Sequence, residues 1–400
     1  MPFSSESLMD ARRRFIRDLF SSSDSLTEVS RRHGVSRQTG AVWRDRALEL
    51  GLESLAEKSR APTSRPNATP EAVVELIVHL RRRYPRWGPA KLRAILLRDY
   101  PGLRVPATST VGAILKREGL VVPRRRRTPR GLPPPSHLGP QDRPNQSWSM
   151  DHKGDFKLGN GRRCHPFTLL DAATRFLFAL EAFPSTRGEL VKEALVRVFE
   201  EHGLPEAMRS DNGSPFAAST FTGLTRLAVW LVELGIRLDR IDPGKPQQNG
   251  RLERYHRTVK EACCAPPEAT LADQQRAFDE HRTEYNEVRP HASLEQNTPA
   301  SAHEPSPRPF PKHAPEPDYG DAHIRKVNCA GVAAFKRWRL QVGQVLEGKI
   351  VGLIPQDDDT FEVRFHARTL GWFDPSTGTL HNGRDVRRCN HASNWPSKRR

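Results

Sequence analysis

The sequence has 400 residues, which is long enough for two to four domains with a buried core. Lys and Arg number 64 and Asp and Glu 47, so the formal charge of +17 favours an anionic polymer or surface as partner. No apolar run reaches the roughly 18 residues of a membrane span, and the first residues lack the apolar core of a signal peptide, so we expect a soluble, intracellular protein. Five cysteines without a Cys-x-x-Cys pair argue against a disulfide framework or a zinc ribbon.

Two proline-rich stretches divide the chain, because proline disfavours the interior of helices and sheets. The predicted segments are helical units at 1–60 and 66–121, a basic linker at 122–145, a central domain at 146–300, a second linker at 301–318, a small β-barrel-like domain at 319–378 and a basic disordered tail at 379–400. Residues 1–145 hold 28 Lys and Arg against 14 Asp and Glu, so most of the excess positive charge lies in the N-terminal third.

The first helical unit carries a helix-turn-helix pattern. Gly34 marks a tight turn between two helical segments, and Ser36 is placed to cap the second of them. That position exposes Arg37, Gln38 and Thr39 at the start of the helix, where DNA-binding proteins of this kind contact base edges in the major groove. An ordinary helical hairpin is the alternative interpretation, but the surrounding positive charge favours binding to double-stranded DNA.

The second helical unit and the linker after it extend this basic region. Three amphipathic segments separated by Pro and Gly predict three helices in the unit. The linker contains the run Arg124, Arg125, Arg126 and Arg127. Because a linker has no hydrophobic core, a packing role for these side chains is excluded, and we expect them to neutralise DNA phosphates.

The central domain has a different periodicity. The segments SWSMDHKGDF and RCHPFTLLDAATRFLFALEAF show the apolar alternation of strands and predict the first three strands of a sheet. Helical segments then alternate with the short strands EAMRSD and IRLDRI. This order predicts an α/β domain whose mixed sheet is flanked by helices.

Three acidic residues of this domain occupy positions where a charged carboxylate costs free energy unless it binds a partner or a metal. Asp151 falls within the first strand, where a charge is rarely buried without a partner or a metal. Asp211 ends a strand at the edge where ligands bind in open α/β sheets, although an Asp that merely forms a turn has the same pattern. Glu253 lies in the first turns of a helix and by itself would be a solvated surface residue. Together, three convergent carboxylates could hold hard cations such as Mg²⁺ or Mn²⁺, which take oxygen ligands.

Five blocks of the central domain carry a family resemblance. They are WSMDHKGDF, LLDAATRF, RSDNGSPF, PGKPQQNGRLERYHRTVKEA and YNEVRPHASLEQNTPA, in that order. This stretch resembles the ribonuclease-H-like catalytic core of retroviral integrases and of DDE-type insertion-sequence transposases, and it is most similar to the bacterial insertion-sequence group. The resemblance implies that Asp151, Asp211 and Glu253 are the catalytic, metal-binding triad.

The resemblance also implies a reaction and its partners. The expected protein is a DNA transposase that binds the ends of an insertion element and cuts and joins strands by direct transesterification, without a protein nucleophile. Asp151 would bridge two Mg²⁺ or Mn²⁺ ions, Asp211 would hold one of them and Glu253 the other. Element ends and target DNA are the implied partners, and a homodimer or larger homo-oligomer on DNA, in the cytoplasm of a bacterium, is the implied assembly.

Other acids near the triad have different expected roles. Glu206 and Glu261 could rival Glu253, but neither follows the PQQNG block. Asp171 lies in the LLDAATRF block and is interpreted as an acid that does not bind the metal directly, with either a supporting role beside the metal ligands or a structural role. The 42 positions between Asp211 and Glu253 exceed the family's usual spacing, and a longer helix and loop would absorb the extra residues.

Several interpretations stay open at this point. Lys245, Arg254 and Lys260 could hold DNA phosphates or be solvated surface charges. The β-rich region at 319–378 suggests four or five strands, arranged as in the C-terminal domain of integrases or as a generic interaction module. A nuclease of the ribonuclease H type and a DNA-binding regulator that has kept the fold are the alternative functions.

Overall fold

The computed structural model describes residues 7–56, 68–121, 138–356, 359–383 and 385–391. The chain divides into two compact units, Met1–Pro70 and Glu71–Arg400, and each unit is described by itself. Within the described residues, no helix is both long and apolar enough to cross a membrane.

The first unit is a group of three helices, α1 (Leu8–Ser21), α2 (Leu26–Arg32) and α3 (Arg37–Leu50), followed by a 3-10 turn at Leu52–Leu55. Gly34 joins α2 to α3 with φ of +67°, a conformation that glycine adopts without steric cost. Ser36 accepts a hydrogen bond from the backbone N–H of Thr39 at 3.1 Å, so the predicted cap of α3 is confirmed.

Helices α2 and α3 cross closely at Gly40. A Cβ atom at this position would lie 2.5 Å from Oγ of Ser30 and 2.7 Å from the ring of Phe15. Phe15 is fully buried and packs edge-on against Trp43 of α3, with 5.4 Å between ring centroids. The absence of a side chain at Gly40 therefore permits the contact between the two helices of the predicted helix-turn-helix.

The second unit begins with three packed helices, α4 (Glu71–Arg83), α5 (Pro89–Asp99) and α6 (Thr108–Arg117). Their shared core includes Ile77, Leu92 and Val111, which are fully buried. The three helices predicted for this part of the chain are confirmed.

The central domain contains a mixed sheet. Its strands are β1 (Ser147–His152), β2 (Phe156–Lys157), β3 (Arg163–Asp171), β4 (Leu177–Phe183), β5 (Ala207–Ser210) and β6 (Arg237–Arg240). Its helices are α7 (Gly188–His202), α8 (Arg226–Glu233), α9 (Gly250–Cys263), α10 (Leu271–Thr283) and α11 (Pro299–Ala302). Strand β3 pairs antiparallel with β1, β2 and β4, whereas β5 runs parallel to β1 and β6. The predicted α/β domain with a mixed sheet is confirmed.

Helices cover both faces of this sheet. On one face, Trp148 and Met150 of β1 cluster with buried residues of α7 and α8. On the other face, apolar residues of β3 and β4 cluster with Leu252 and Tyr255 of α9 and with α10. Because side chains alternate along a strand, Asp151 lies on the face that α9 covers.

The C-terminal domain consists of two antiparallel sheets. In the part of the chain that the structure describes, its strands are β7 (His323–Lys326), β8 (Val332–Phe335), β9 (Trp338–Gln341), β10 (Ile350–Pro355), β11 (Phe361–Phe365), β12 (Arg368–Asp374), β13 (Thr379–His381), β14 (Val386–Arg388) and β15 (Asn390–His391). One sheet has the order β14-β13-β12-β11-β10-β7 and the other β15-β9-β8. The domain is thus larger than the four or five strands predicted.

The prediction of a disordered tail from residue 379 is wrong for the described residues up to 391. Strand β13 pairs with β12, and Leu380 lies opposite Phe373 and is fully buried. Cys389 also packs against this core, while most other described side chains of the segment are exposed or half-buried, which accounts for its polar composition. Residues 392–400 of the predicted tail lie outside the described residues.

The predicted linker at 301–318 packs against the central domain. The guanidinium of Arg308 donates hydrogen bonds to the backbone carbonyls of Pro205 and Leu234. Phe310 packs against the hydrophobic core beneath α7 and α8. Proline content predicted the lack of regular structure here, but it carries no information about these long-range contacts.

The residues that lengthen the spacing between Asp211 and Glu253 form part of the contact with the C-terminal domain. Phe221, Leu224 and Val229 share a hydrophobic cluster with strands of that domain. Helix α8 accounts for 8 of the residues between Asp211 and Glu253, and loops account for much of the remainder, as the prediction of a helix and loop allows.

Candidate active site

The first two acids of the predicted triad lie at neighbouring strand ends. Strands β1 and β5 are parallel, and Ser149 is paired with Arg209. Asp151 lies two residues beyond Ser149, and Asp211 lies two residues beyond Arg209, immediately after β5. The parallel register therefore brings the two acids to the same edge of the sheet. Asp211 also stabilises its own turn, since its Oδ1 accepts a hydrogen bond from the N–H of Gly213 at 3.0 Å.

The third acid, Glu253, is exposed in the first turn of α9. A 3-10 turn at Pro246–Asn249 leads into this helix. The buried guanidinium of Arg209 donates a hydrogen bond of 3.4 Å to the carbonyl of Gln248 in that turn. Strand β5, which leads to Asp211, thus holds the start of the helix that carries Glu253.

Helix α9 is joined to β1 and β3 by a polar contact one turn beyond Glu253. The hydroxyl of Thr168 donates to the backbone carbonyl of Asp151 at 3.0 Å and lies 2.8 Å from Nε2 of His256. The Nδ1 atom of the same imidazole is 3.9 Å from Oδ2 of Asp151. Burial, with smaller effects from Lys153 and His152, lowers the pKa of His256 to about 4, so the ring is neutral at pH 7.

The three carboxylates influence one another electrostatically. Burial raises the pKa of Asp151 to about 7, and the negative charges of Asp211 and, less strongly, Glu253 add to the increase. Like charges that converge on a half-buried position disfavour ionisation, so this arrangement favours a cation between them.

The donor atoms suit a hard divalent cation. The described residues contain no group of three or more His, Cys, Asp or Glu side chains spaced like a preformed metal cage. Mg²⁺ does not require one, because it keeps several water molecules and is commonly bound through one or two carboxylates together with substrate phosphates. The oxygen ligands offered by Asp151, Asp211 and Glu253 match this preference.

Neither of the two rival acids, Glu206 and Glu261, nor Asp171 lies in the position of Glu253. Glu261 lies 3.5 Å from the guanidinium of Arg86 in an exposed ion pair. Glu206 precedes β5, at the opposite end of the strand from Asp211. Asp171 is fully buried, and its carboxylate accepts hydrogen bonds from the backbone N–H groups of residues 145, 173 and 174 at 2.7, 2.7 and 3.0 Å.

The cations predicted near the triad have different environments. Lys245 forms an ion pair with Asp242 at 2.9 Å. Arg254 and Lys260 are exposed on α9. Arg254 also lines a cavity of about 600 Å³ next to this helix.

The residues predicted to contact DNA in the N-terminal region lie at the start of α3. Arg37 and Gln38 are exposed, and Thr39 is half-buried beside Ser36, with 2.8 Å between the two hydroxyl oxygens. The run Arg124–Arg127 lies outside the described residues.

Sequence reasoning missed the positioning residues of this site. His256 follows Glu253 by three positions, so helical spacing could have placed both on one face of α9. Thr168 gave no comparable signal, because an internal threonine of a buried strand is ordinary. The cationic cavity beside α9 was also missed, since its side chains come from separate parts of the sequence.

Comparison with protein families gives three matches. Two models described as integrase core domain match residues 141–246 and 234–299. A model described as homeodomain-like domain matches residues 39–115.

Two of the similar proteins come from bacterial insertion elements. The chain is 28% identical over 236 residues to the uncharacterized 39.2 kDa protein of insertion element IS476 from Xanthomonas euvesicatoria, a match that covers 59% of this chain and 65% of that protein. It is 28% identical over 232 residues to the uncharacterized 31.7 kDa protein of insertion element IS407 from Burkholderia multivorans, covering 58% of this chain and 80% of that protein. Among solved structures, the HTLV-2 integrase catalytic core domain in complex with magnesium matches with 14% identity and a TM-score of 0.33, covering 40% of this chain and 98% of that one.

Proposed function

We propose that the chain is a DDE-type insertion-sequence transposase with an integrase core, which binds the ends of an insertion element and catalyses metal-dependent cleavage and transfer of DNA strands. Asp151, Asp211 and Glu253 are the proposed catalytic residues. The observation that carries the assignment is the parallel register of β1 and β5, which aligns the two aspartates at one sheet edge while α9 places Glu253 in electrostatic reach of Asp151.

Asp151, Asp211 and Glu253 would hold two Mg²⁺ or Mn²⁺ ions through their carboxylate oxygens. When bound, such ions lower the pKa of the attacking oxygen and neutralise charge on the phosphate. Thr168 and His256 keep β1 and α9 together, and hence Asp151 and Glu253 at a fixed separation. Water is the first nucleophile and the 3′-hydroxyl that it releases is the second, so no side chain forms a bond to DNA.

The proposed DNA contacts are of two kinds, contacts to base edges and contacts to phosphates. Arg37, Gln38 and Thr39 would contact base edges from the start of α3 and so select the element's end. The run Arg124–Arg127, with Lys245, Arg254 and Lys260, would contact phosphates, which position DNA without reading its sequence. Lys245 would first have to leave its ion pair with Asp242.

The proposed partners are the two element ends and the target DNA. Two ends must be brought together for one insertion, so a homodimer or larger homo-oligomer on DNA is the proposed assembly. Its place of action would be the bacterial cytoplasm, where the chromosomal DNA lies.

The test is a strand-transfer assay with the full-length protein. Duplexes carrying the inverted repeats that flank the gene are incubated with a supercoiled plasmid and Mg²⁺. We expect covalent joining of the duplex's 3′ end to the plasmid. Cutting of an RNA–DNA hybrid without joining would instead indicate a ribonuclease H type nuclease, and end binding without metal-dependent cutting would indicate a regulator.

A further inference from the structure

A cavity of about 600 Å³ lies beside α9, on a different side of the helix from the contact with Asp151. The 3-10 turn before α9, the segment that follows α10 and helix α5 contribute to its walls. Five cationic side chains line it, namely Lys91, Arg175, Arg251, Arg254 and Arg289. Among the described residues that form the walls there is no Asp or Glu.

Neutral groups hold these cations in place. Arg251 donates hydrogen bonds of 2.7 Å to the backbone carbonyls of Gln141 and Ala172. Lys91 donates to the carbonyl of Pro290. These contacts orient the side chains toward fixed positions but do not neutralise their charge.

No acid in the described walls neutralises the five cations; Asp142 and Asp171 act on Arg251, and Glu284 on Arg289, from outside the walls. Burial, with a smaller effect from Arg289, lowers the pKa of Lys91 to about 7. Burial and then the charge of Arg251 lower the pKa of Arg175. The nearby acid Asp171 is buried beneath these side chains, and its oxygens are occupied by backbone N–H groups.

Two polar atoms at the cavity also have no hydrogen-bond partner within the described chain. They are Nε of Arg289 and Nε2 of His291, and both are buried. Both atoms are enclosed by protein, so a ligand in the cavity would not reach them. It is the charge repulsion among the five cations of the walls that an anion with several acceptor oxygens would relieve.

We propose that this cavity binds a phosphate group, supplied by the backbone of bound DNA. The planar guanidinium groups of Arg175, Arg251 and Arg289 suit phosphate oxygens, which they can contact in pairs. The inference rests on the proposed function for the source of the phosphate, while the cavity's charge and geometry are independent of it.

The position of the cavity gives the phosphate a role in alignment. Residues 251, 254, 255 and 258 of α9 face the cavity, whereas Glu253 and His256 of the same helix lie toward β1. A phosphate held there would fix a DNA strand relative to the helix that carries Glu253. Because Lys91 belongs to α5, the same phosphate would also tie the helices α4–α6 to the central domain.

The test measures binding by the full-length chain without divalent metal, so its outcome does not depend on cleavage. We compare wild type with the double variant Arg175→Gln/Arg289→Gln on a duplex of arbitrary sequence over a range of salt concentrations. The slope of log affinity against log salt should fall by about 0.9, because the variant binds one DNA phosphate fewer than the wild type. Arg276→Gln is the matched control, because Arg276 is exposed on α10, pairs with Asp273 and lies outside the cavity walls, so its slope should not change.

Further variants keep the test decisive. Arg254→Gln gives the same readout if the double variant does not fold, because Arg254 is exposed and its guanidinium makes no hydrogen bond or ion pair in the described structure. Arg175→Lys/Arg289→Lys retains the charge and should restore most of the slope. A slope that stays at the wild-type value in both Gln variants would overturn the proposal.

A second arm distinguishes DNA from free phosphate as the source. The melting temperature of wild type and of the double variant is measured in inorganic phosphate and in chloride at equal ionic strength. If phosphate stabilises only the wild type while the DNA salt slopes of the two proteins agree, the cavity binds the free ion and the DNA assignment is rejected. A lowered slope in the variant supports the assignment whether or not the free ion binds.

Discussion

Removal of the Thr168 hydroxyl tests the contact that joins α9 to the sheet. Thr168 lies opposite Asp151 in the antiparallel pair of β1 and β3 and is fully buried. Its hydroxyl donates to the carbonyl of Asp151, so we assign the proton of the imidazole to Nε2 of His256, which donates to the Thr168 oxygen. Thr168→Val keeps the shape of the side chain and removes both hydrogen bonds, leaving a buried imidazole N–H without an acceptor.

The expected cost of Thr168→Val is about 1–3 kcal/mol, the range for a buried donor that loses its partner. Local opening should become easier by the same amount, which corresponds to roughly 5- to 150-fold faster amide exchange in β1, β3 and the first turns of α9. Hydrogen–deuterium exchange followed by mass spectrometry measures this segment by segment, so the unfolding of other domains does not interfere. Thr168→Ser is the control, because it keeps the hydroxyl and loses only one methyl group, worth about 0.8 kcal/mol. Exchange in α9 that is no faster for the Val variant than for the Ser variant would refute the proposed contact.

Three further predictions concern other parts of the chain. Asp171→Asn should destabilise the central domain by about 1–3 kcal/mol, because an amide cannot accept hydrogen bonds from all three backbone N–H groups. The folded Asp171→Asn protein should still cut DNA in the presence of metal, whereas Asp151→Asn should not. If both variants folded and both were inactive, this distinction would be contradicted. Gly40→Ala should destabilise the first unit by about 1–3 kcal/mol through overpacking between α2 and α3, and an unchanged melting transition of that unit would show that the helices separate easily. Arg37→Ala should reduce the discrimination between end and scrambled duplexes by about 1–3 kcal/mol, and a retained end preference would move base reading to another segment. Replacing Arg124–Arg127 with Ala should weaken binding to both duplexes equally and lower the slope of log affinity against log salt. An unchanged slope would reject the linker as a DNA contact.

The parts of the fold that sequence predicted depend on local signals. Apolar alternation identified β1 and placed Asp151 within it, and the turn after MRSD placed Asp211 at a strand end. Ser36 was identified as a cap because the residue type and its spacing to the helix are sufficient for that role. The local sequence is sufficient to predict these features, whichever distant segment packs against them.

The features that escaped prediction depend on contacts between distant segments. Leu380 lies in a polar, basic stretch, and only its pairing with β12 makes that stretch part of a sheet. Arg308 follows several prolines, and only the carbonyls of the central domain give it a fixed position. Arg175 and Arg289 meet at one cavity because the sheet and the segment after α10 fold together, which no local pattern of either segment indicates.

The most direct test of the central claim compares Glu253→Gln with Glu261→Gln on a labelled duplex of the element's end, in Mg²⁺ and in Mn²⁺. The amide is nearly isosteric with the carboxylate but is a poor ligand for a divalent ion, so Glu253→Gln should lower cutting and joining by several orders of magnitude while end binding is retained. Glu261→Gln loses only an exposed ion pair with Arg86, which contributes little, and should remain active. Cutting by Glu253→Gln at the wild-type rate, together with an inactive Glu261→Gln, would contradict the assignment of the triad.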